Sequence, residues 1–203
     1  MWCTAYQILH LVARIQPGDT VLVHAAASGV GTAMIQLAKV VKGVTVIASA
    51  SSNEKLKFCK SLGADFVINY KETPDFDREV MKITENQGCN IVADPVGAPN
   101  AVKNISSCGT DARWVLFGFL GGRVIPEGFD MGPLLMKRIQ LCPTTLRTRS
   151  DDYKRDLIDK MVSTYFHPEN NFKQINDKTF KMSDVAAAHA YMETDQSVGK
   201  ILL

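Results

Sequence analysis

Apolar and polar residues follow one another along this chain in two alternating rhythms. Short apolar runs at about Thr20 to His24, Thr45 to Ser49, Phe66 to Asn69, Ile91 to Asp94, Arg113 to Phe117 and Ile139 to Thr144 predict strands. Between them the spacing turns helical, over Val30 to Val41, Asn53 to Leu62 closed by Gly63, Asp77 to Glu85, Ala98 to Ser107, and a shorter piece near Pro133 to Lys137. Ahead of the first strand, Ala5, Ile8, Leu9 and Val12 predict a helix over Thr4 to Ala13, which Pro17-Gly18-Asp19 ends in a turn. Alternating strands and helices mark a parallel sheet with right-handed crossovers.

After Arg149 the rhythm changes. Asp151-Asp152 predicts the acidic first turn of a helix running to about Phe166, and His167 to Asn171 forms a polar break. A strand over Phe172 to Phe180, a helix opened by Ser183-Asp184 and ending near Met192, and a last strand over Val198 to Leu203 complete the pattern. The division expected is a doubly wound, six-stranded parallel Rossmann domain over residues 1–149 and a second unit over 150–203.

The stretch TVLVHAAASGVGTAMIQLAK, Thr20 to Lys39, sharpens that reading. A strand that ends in very small residues before a helix lets backbone N–H groups approach a ligand, and a dinucleotide pyrophosphate at the helix N-terminus is the obvious one. The usual three glycines here become Ala26, Ser28 and Gly31, with Gly29 as a second flexible point, so a plain strand-to-helix turn stays open as the alternative.

Composition narrows the classes. The 203 residues are 46% hydrophobic and carry a net charge of +2, which suits a folded protein and gives no reason to expect nucleic acid or an anionic membrane as partner. The 5 cysteines are scattered without a C-x-x-C pair, which speaks against a zinc site or a disulfide framework and for a reducing, cytoplasmic compartment. No stretch is apolar for long enough to span a bilayer, and the start does not read as a signal peptide.

At the end of the second strand, Ser49-Ala50-Ser51-Ser52-Asn53-Glu54-Lys55 is neutral to basic, which favours NADP over NAD. A charge-assisted contact of about 1.5–3 kcal/mol from Lys55 corresponds to roughly tenfold to hundredfold preference for the phosphorylated cofactor. Lys55 also reads as a solvated helix lysine, and Glu54 is the counter-indication, because its carboxylate would face the ribose if the strand ended later. Tyr70, just past FVIN, is placed to reach the same phosphate. Val96 and Gly97 in Asp94-Pro95-Val96-Gly97, and Phe117, Gly118, Phe119 and Leu120 after the fifth strand, lie on the carboxyl edge, where a flat nicotinamide ring would be held.

None of the 4 histidines reads as a general base, and His24 is expected in a structural hydrogen bond. The basic residues Lys137, Arg138, Arg147 and Arg149 flank the sixth strand and read as a solvated rim, or as the border of an exposed strand that pairs with its twin.

With these residues in place, WCTAYQILHLV, GDTVLVHAAASGVGTAMIQLAK, EKLKFCKSLGADFVINY, ADPVG, RWVLFGFLGG, LLMKR, LRTRS, AHAYME and GKILL together make the chain resemble the quinone oxidoreductase branch of the zinc-free medium-chain dehydrogenase/reductases. The resemblance implies NADPH as hydride donor, no metal, and a quinone or related enone as substrate. It places Thr4 near the nicotinamide, Ser28, Gly29, Val30 and Gly31 on the pyrophosphate, Ser51, Lys55 and Tyr70 around the 2'-phosphate, and the Thr145-Leu146 region in the cleft. It also implies a homodimer through the sixth strand, and makes 150–203 the C-terminal part of a GroES-like substrate domain whose first portion has no counterpart here. No catalytic residue is carried over on that account. A non-catalytic NADP-binding or dimerisation module is the alternative function. The last strand is expected to lack its barrel partners, and so to re-pair, to be covered by a neighbouring chain or to be disordered. The sequence also departs from the family at Asp111-Ala112-Arg113, where a glycine is usual.

Overall fold

The computed structural model describes residues 1–125 and 127–203. Six strands, β1 (Thr20–Val23), β2 (Thr45–Ala50), β3 (Phe66–Asn69), β4 (Cys89–Asp94), β5 (Cys108–Leu116) and β6 (Gln140–Pro143), form one parallel sheet in the order β3-β2-β1-β4-β5-β6. Order reverses between β1 and β4, and that reversal opens a crevice at the carboxyl ends of the strands. Val21, Leu22 and Val23 are fully buried, as a central parallel strand covered on both faces requires.

The helices begin where local chemistry lets them. In α2 (Gly29–Val40), the Ser28 hydroxyl accepts the Gly31 N–H at 3.1 Å; in α3 (Asn53–Ser61), Ser52 accepts the Lys55 N–H at 3.3 Å. Gly63, at φ +111°, ends α3 as its sequence position predicts. The remaining crossovers are α4 (Phe76–Ile83), α5 (Ala101–Ser107, led in by a 3₁₀ turn over Ala98–Asn100) and α6 (Gly132–Met136). In α7 (Asp151–Tyr165), Ser150 caps the N-terminus and Asp151 and Asp152 occupy the first turn. Its Leu157 and Met161 are buried in the same apolar cluster as Ile8, Leu9, Val21 and Met34.

Three elements differ from their expected form. The first helix starts earlier, with α-geometry over Trp2–Tyr6 and a wider π-turn over Gln7–Val12, where the Ala13 N–H reaches back to Ile8 O at 2.9 Å. Within this wider turn the His10 ring stacks on Tyr6 and its Nδ1 lies 3.2 Å from the Tyr165 hydroxyl of α7. The fifth strand begins at Cys108 rather than Arg113, and its pairing to β4 slips beyond Cys89↔Cys108. Asp111, on that slipped stretch, takes φ +62°, a left-handed conformation in which glycine meets no Cβ penalty, and its carboxylate accepts two 2.7 Å bonds from Arg138.

The strand expected over Phe172 to Phe180 is shorter, because only Asn176–Thr179 (β7) finds a partner. It pairs in parallel with β8 (Lys200–Leu202) on either side of α8 (Val185–Glu193), in a separate two-stranded sheet. The last strand has therefore re-paired, with Leu202 and Leu203 left exposed.

Burial lowers the His10 pKa to about 4, below the roughly 6.5 of an unfolded histidine. The folded state then binds fewer protons, so this contribution to stability is complete above pH 6.5 and is lost as pH falls from 6.5 to 4. Urea unfolding midpoints measured across that window are expected to fall with pH, and less steeply in His10→Phe.

Candidate functional site

The crevice takes its shape from one buried carboxylate. Asp94, at the end of β4 and fully buried, accepts four hydrogen bonds: Val96 N–H (2.7 Å) and Gly97 N–H (3.0 Å) on one oxygen, Asn104 Nδ2 (2.9 Å) and Trp114 Nε1 (3.1 Å) on the other. Because Asn104 donates its amide to Asp94, its Oδ1 is left to accept from His24 Nε2 at 2.8 Å. The His24 Nδ1 then accepts from the Ser49 hydroxyl at 2.9 Å. Burial, outweighing the charge of Asp94, lowers the His24 pKa, so the ring is a neutral structural link.

On this base the β4 and β5 loops are joined backbone to backbone. Leu120 N–H donates to Pro95 O, Gly121 N–H to Val96 O and Ala98 N–H to Gly122 O, at 2.9–3.0 Å. A Cβ at Gly118 would stand 2.9 Å from Pro95 O, and one at Gly97 2.6 Å from Gly122 O, so side chains are excluded from both positions. Val96 and Gly97 belong to this seam, through the Val96 carbonyl and the pairing of Gly97 with Gly122, and the side chains of Phe119 and Leu120 stand exposed.

Thr4, Phe117 and Leu146, far apart in sequence, line one open cleft of about 700 Å³ with Gln7, Thr144, Thr145, Arg147, Thr148 and Lys154. Gly118 and Phe119 line an adjoining cleft of about 470 Å³ that shares Phe117, Thr144 and Thr145. Gln7 gives no signal in the sequence, because it sits on the apolar side of a helix. It is fully buried, its amide lies 3.2 Å from the Tyr153 hydroxyl, and its Oε1 has no partner among the described residues. The four basic residues around β6 divide: Arg147 lines the larger cleft, while Lys137 caps the carbonyls of Ile105, Ser106 and Cys108.

In the middle of the crevice stands the β1–α2 turn. A Cβ at Gly31 would lie 2.5 Å from Ala26 O, so this glycine serves close helix–strand packing. Among the described residues no acceptor meets the Val30 N–H, whereas the Gly29 N–H lies against Gly199, which bridges in parallel to Ser28, so one donor stays clear at the N-terminus of α2. The model of the zinc-binding dehydrogenase family matches residues 29–163, from this glycine through all the later strands of the sheet. The chain belongs to that family, within the medium-chain dehydrogenase/reductases.

Its relatives in the family include a 2-haloacrylate reductase from Burkholderia, 32% identical over 98% of this chain and 60% of its own length. The mouse quinone oxidoreductase-like protein 2 is 32% identical over 94% of this chain and 54% of its own. Among solved structures, a mycobacterial protein in complex with NADPH superposes with a TM-score of 0.82 at 30% identity, covering 100% of this chain and 62% of the other. The chain thus spans little more than half of the length of these relatives. Among its described residues, no three His, Cys, Asp or Glu side chains group as a metal site would need, and no helix is long and apolar enough to cross a membrane.

At the far end of the crevice, Ser51 and Lys55 meet. Both are buried, with Lys55 Nζ 3.2 Å from Ser51 Oγ. Tyr70 follows β3 beside them, its N–H bonded to Ala50 O at 3.2 Å. Glu54 does not turn to this seat: its exposed carboxyl is held below the usual range by its own backbone N–H and the Ser52 hydroxyl. A residue the sequence did not single out, Asp195, completes the cluster. Its backbone O lies 2.5 Å and its Oδ1 2.8 Å from Lys55 Nζ.

Removing the central carboxylate tests the frame. Asp94→Ala leaves four donors unpaired, three of them buried, and is expected to cost about 3–5 kcal/mol, read from urea unfolding.

Proposed function

We propose that this chain binds NADPH along the crevice, and that the protein it represents reduces quinones or related enones. The observation that carries the reading is the order of chemistry along one edge of the sheet. A basic, hydroxyl-bearing seat at Ser51, Lys55 and Tyr70 comes first, then the N-terminus of α2 with its Val30 N–H, then the open, mixed cleft of Thr4, Phe117 and Leu146. That order suits a 2'-phosphate, a pyrophosphate and a nicotinamide in turn. The relatives named above, a haloacrylate reductase and a quinone oxidoreductase-like protein, support a conjugated electrophile as substrate.

NADPH supplies a hydride from its nicotinamide ring when bound. The chain's own part is positional. Ser28 holds the first turn of α2 open by taking the Gly31 N–H, and the seam between Pro95 to Ala98 and Leu120 to Gly122 fixes the loop that carries Phe117, Gly118 and Phe119. Thr4, Phe117 and Leu146 flank the cleft where the electrophile would approach, and their contribution is to orient it against the nicotinamide. Neither His24, with both ring nitrogens bonded, nor neutral His10 serves as proton donor in this account.

The reading is tested by titrating the chain with NADPH by fluorescence and following NADPH oxidation with a benzoquinone. Lys55→Met is expected to weaken NADPH by roughly tenfold to hundredfold and NADH by less than about twofold. Equal effects on both cofactors would overturn the assignment of Lys55. Binding without turnover would favour the second reading, a cofactor-binding module.

The same proposal includes a homodimer through β6. This strand is an edge of the sheet, and Leu135, Met136 and Leu141 stand exposed around it. Light scattering after gel filtration is expected to give twice the chain mass, and Leu141→Lys to give the monomer; an unchanged mass in the variant would place the contact elsewhere.

A further inference from the structure

We infer that Asp195 sets the cofactor preference of this chain: its carboxylate occupies the anion seat formed by Lys55 and Ser51 and competes there with the 2'-phosphate of NADPH. The inference rests on the proposed role of Lys55.

The geometry is that of an internal anion held by an anion-binding group. Lys55 Nζ has three partners, and two of them belong to Asp195: the backbone O at 2.5 Å and Oδ1 at 2.8 Å, beside Ser51 Oγ at 3.2 Å. Lys71 Nζ stands 3.7 Å from the other carboxylate oxygen. An ammonium carries three N–H donors, so none of Lys55's is left for a phosphate while Asp195 stays in place. The Lys55 side chain is 10% exposed and that of Asp195 53%: the lysine is built into the fold, and the carboxylate covers it from the solvent side.

Asp195 is also held in position. The segment that bears it leaves the last turn of α8, where its N–H reaches Met192 O at 3.3 Å, and is pinned again at Gly199, whose N–H donates to Ala27 O at 2.7 Å in the β1–α2 turn. The residue takes φ +55°, a left-handed conformation that aspartate and asparagine tolerate better than most side chains. Burial works against ionisation of Asp195, but hydrogen bonds from Lys55 and Ser51 and the charges of Lys55 and Lys71 outweigh it and hold its carboxyl below the usual range.

Two consequences follow for the two cofactors. A 2'-phosphate must displace the carboxylate or bind beside it against like charge, and either route lowers affinity for NADPH. A ribose 2'-hydroxyl meets no such opposition, since a carboxylate accepts its hydrogen bond. The chain is therefore less selective for NADPH than Lys55 and Ser51 would make it by themselves.

The experiment compares the wild-type chain, Asp195→Asn and Lys55→Met by calorimetry with NADPH, NADH, 2',5'-ADP and 5'-AMP. The two fragments read the adenosine end independently of the nicotinamide end. Asparagine keeps the left-handed backbone and removes only the charge. Asp195→Asn is expected to tighten NADPH and 2',5'-ADP by about tenfold, and to change NADH and 5'-AMP by less than about twofold. If Lys55→Met weakens 2',5'-ADP but Asp195→Asn does not tighten it, the role of Lys55 stands and the inference about Asp195 is overturned. If Lys55→Met leaves 2',5'-ADP binding unchanged, the phosphate seat lies elsewhere and both fall.

Discussion

The crevice of this protein depends on burying one carboxylate with all of its partners present. Asp94 gathers two loop N–H groups, an asparagine amide and an indole, and through Asn104 and His24 it reaches Ser49 at the end of β2. An unpaired carboxylate in such a place would be prohibitively costly, whereas a fully bonded one orders everything that touches it. Here it ties the ends of β1, β2, β4 and β5 together across the point where strand order reverses. The loops above inherit that order, and the glycines at positions 97 and 118 let them close against each other without side chains between them.

Above this frame the crevice has two chemically distinct ends. The end near β6 is open and mixed, walled by Thr4, Phe117 and Leu146 and bordered by Arg147 and Lys154. The end near β3 is compact and charged, with Lys55 enclosed by Ser51 and Asp195. The segment from α8 to β8 belongs to both accounts. It presents Asp195 to the charged end, and it lays Gly199 and Lys200 against the β1–α2 turn, where a Cβ on Gly29 would stand 2.7 Å from Lys200 Cε. A C-terminal piece whose strand pairs with β7, outside the main sheet, thus takes part in shaping the crevice of that sheet.

Much of this was legible before any coordinates. The strand and helix rhythm predicts six parallel strands, and boundaries fall within a few residues where small caps such as Ser28, Ser52 and Ser150 mark them. Where the rhythm misleads, a non-local contact is involved. The π-turn over Gln7–Val12 packs against α7, some 150 residues away in the chain, and its residues keep an ordinary helical pattern. The glycine expected near Asp111 marks a real need for a left-handed residue, which aspartate meets with help from Arg138.

By itself the sequence determined the fold class, the place of the small-residue turn and the basic character of the site after β2, because periodicity, capping and local charge are properties of neighbouring residues. Only the tertiary structure decided which distant groups share a space. It joined Thr4 to Leu146, placed buried Gln7 beside the larger cleft, linked His24 to Asn104, and set Asp195 on Lys55. These encounters depend on how the sheet is ordered and where the last segment crosses it, and a hydrogen bond spanning 140 residues leaves no local pattern to read.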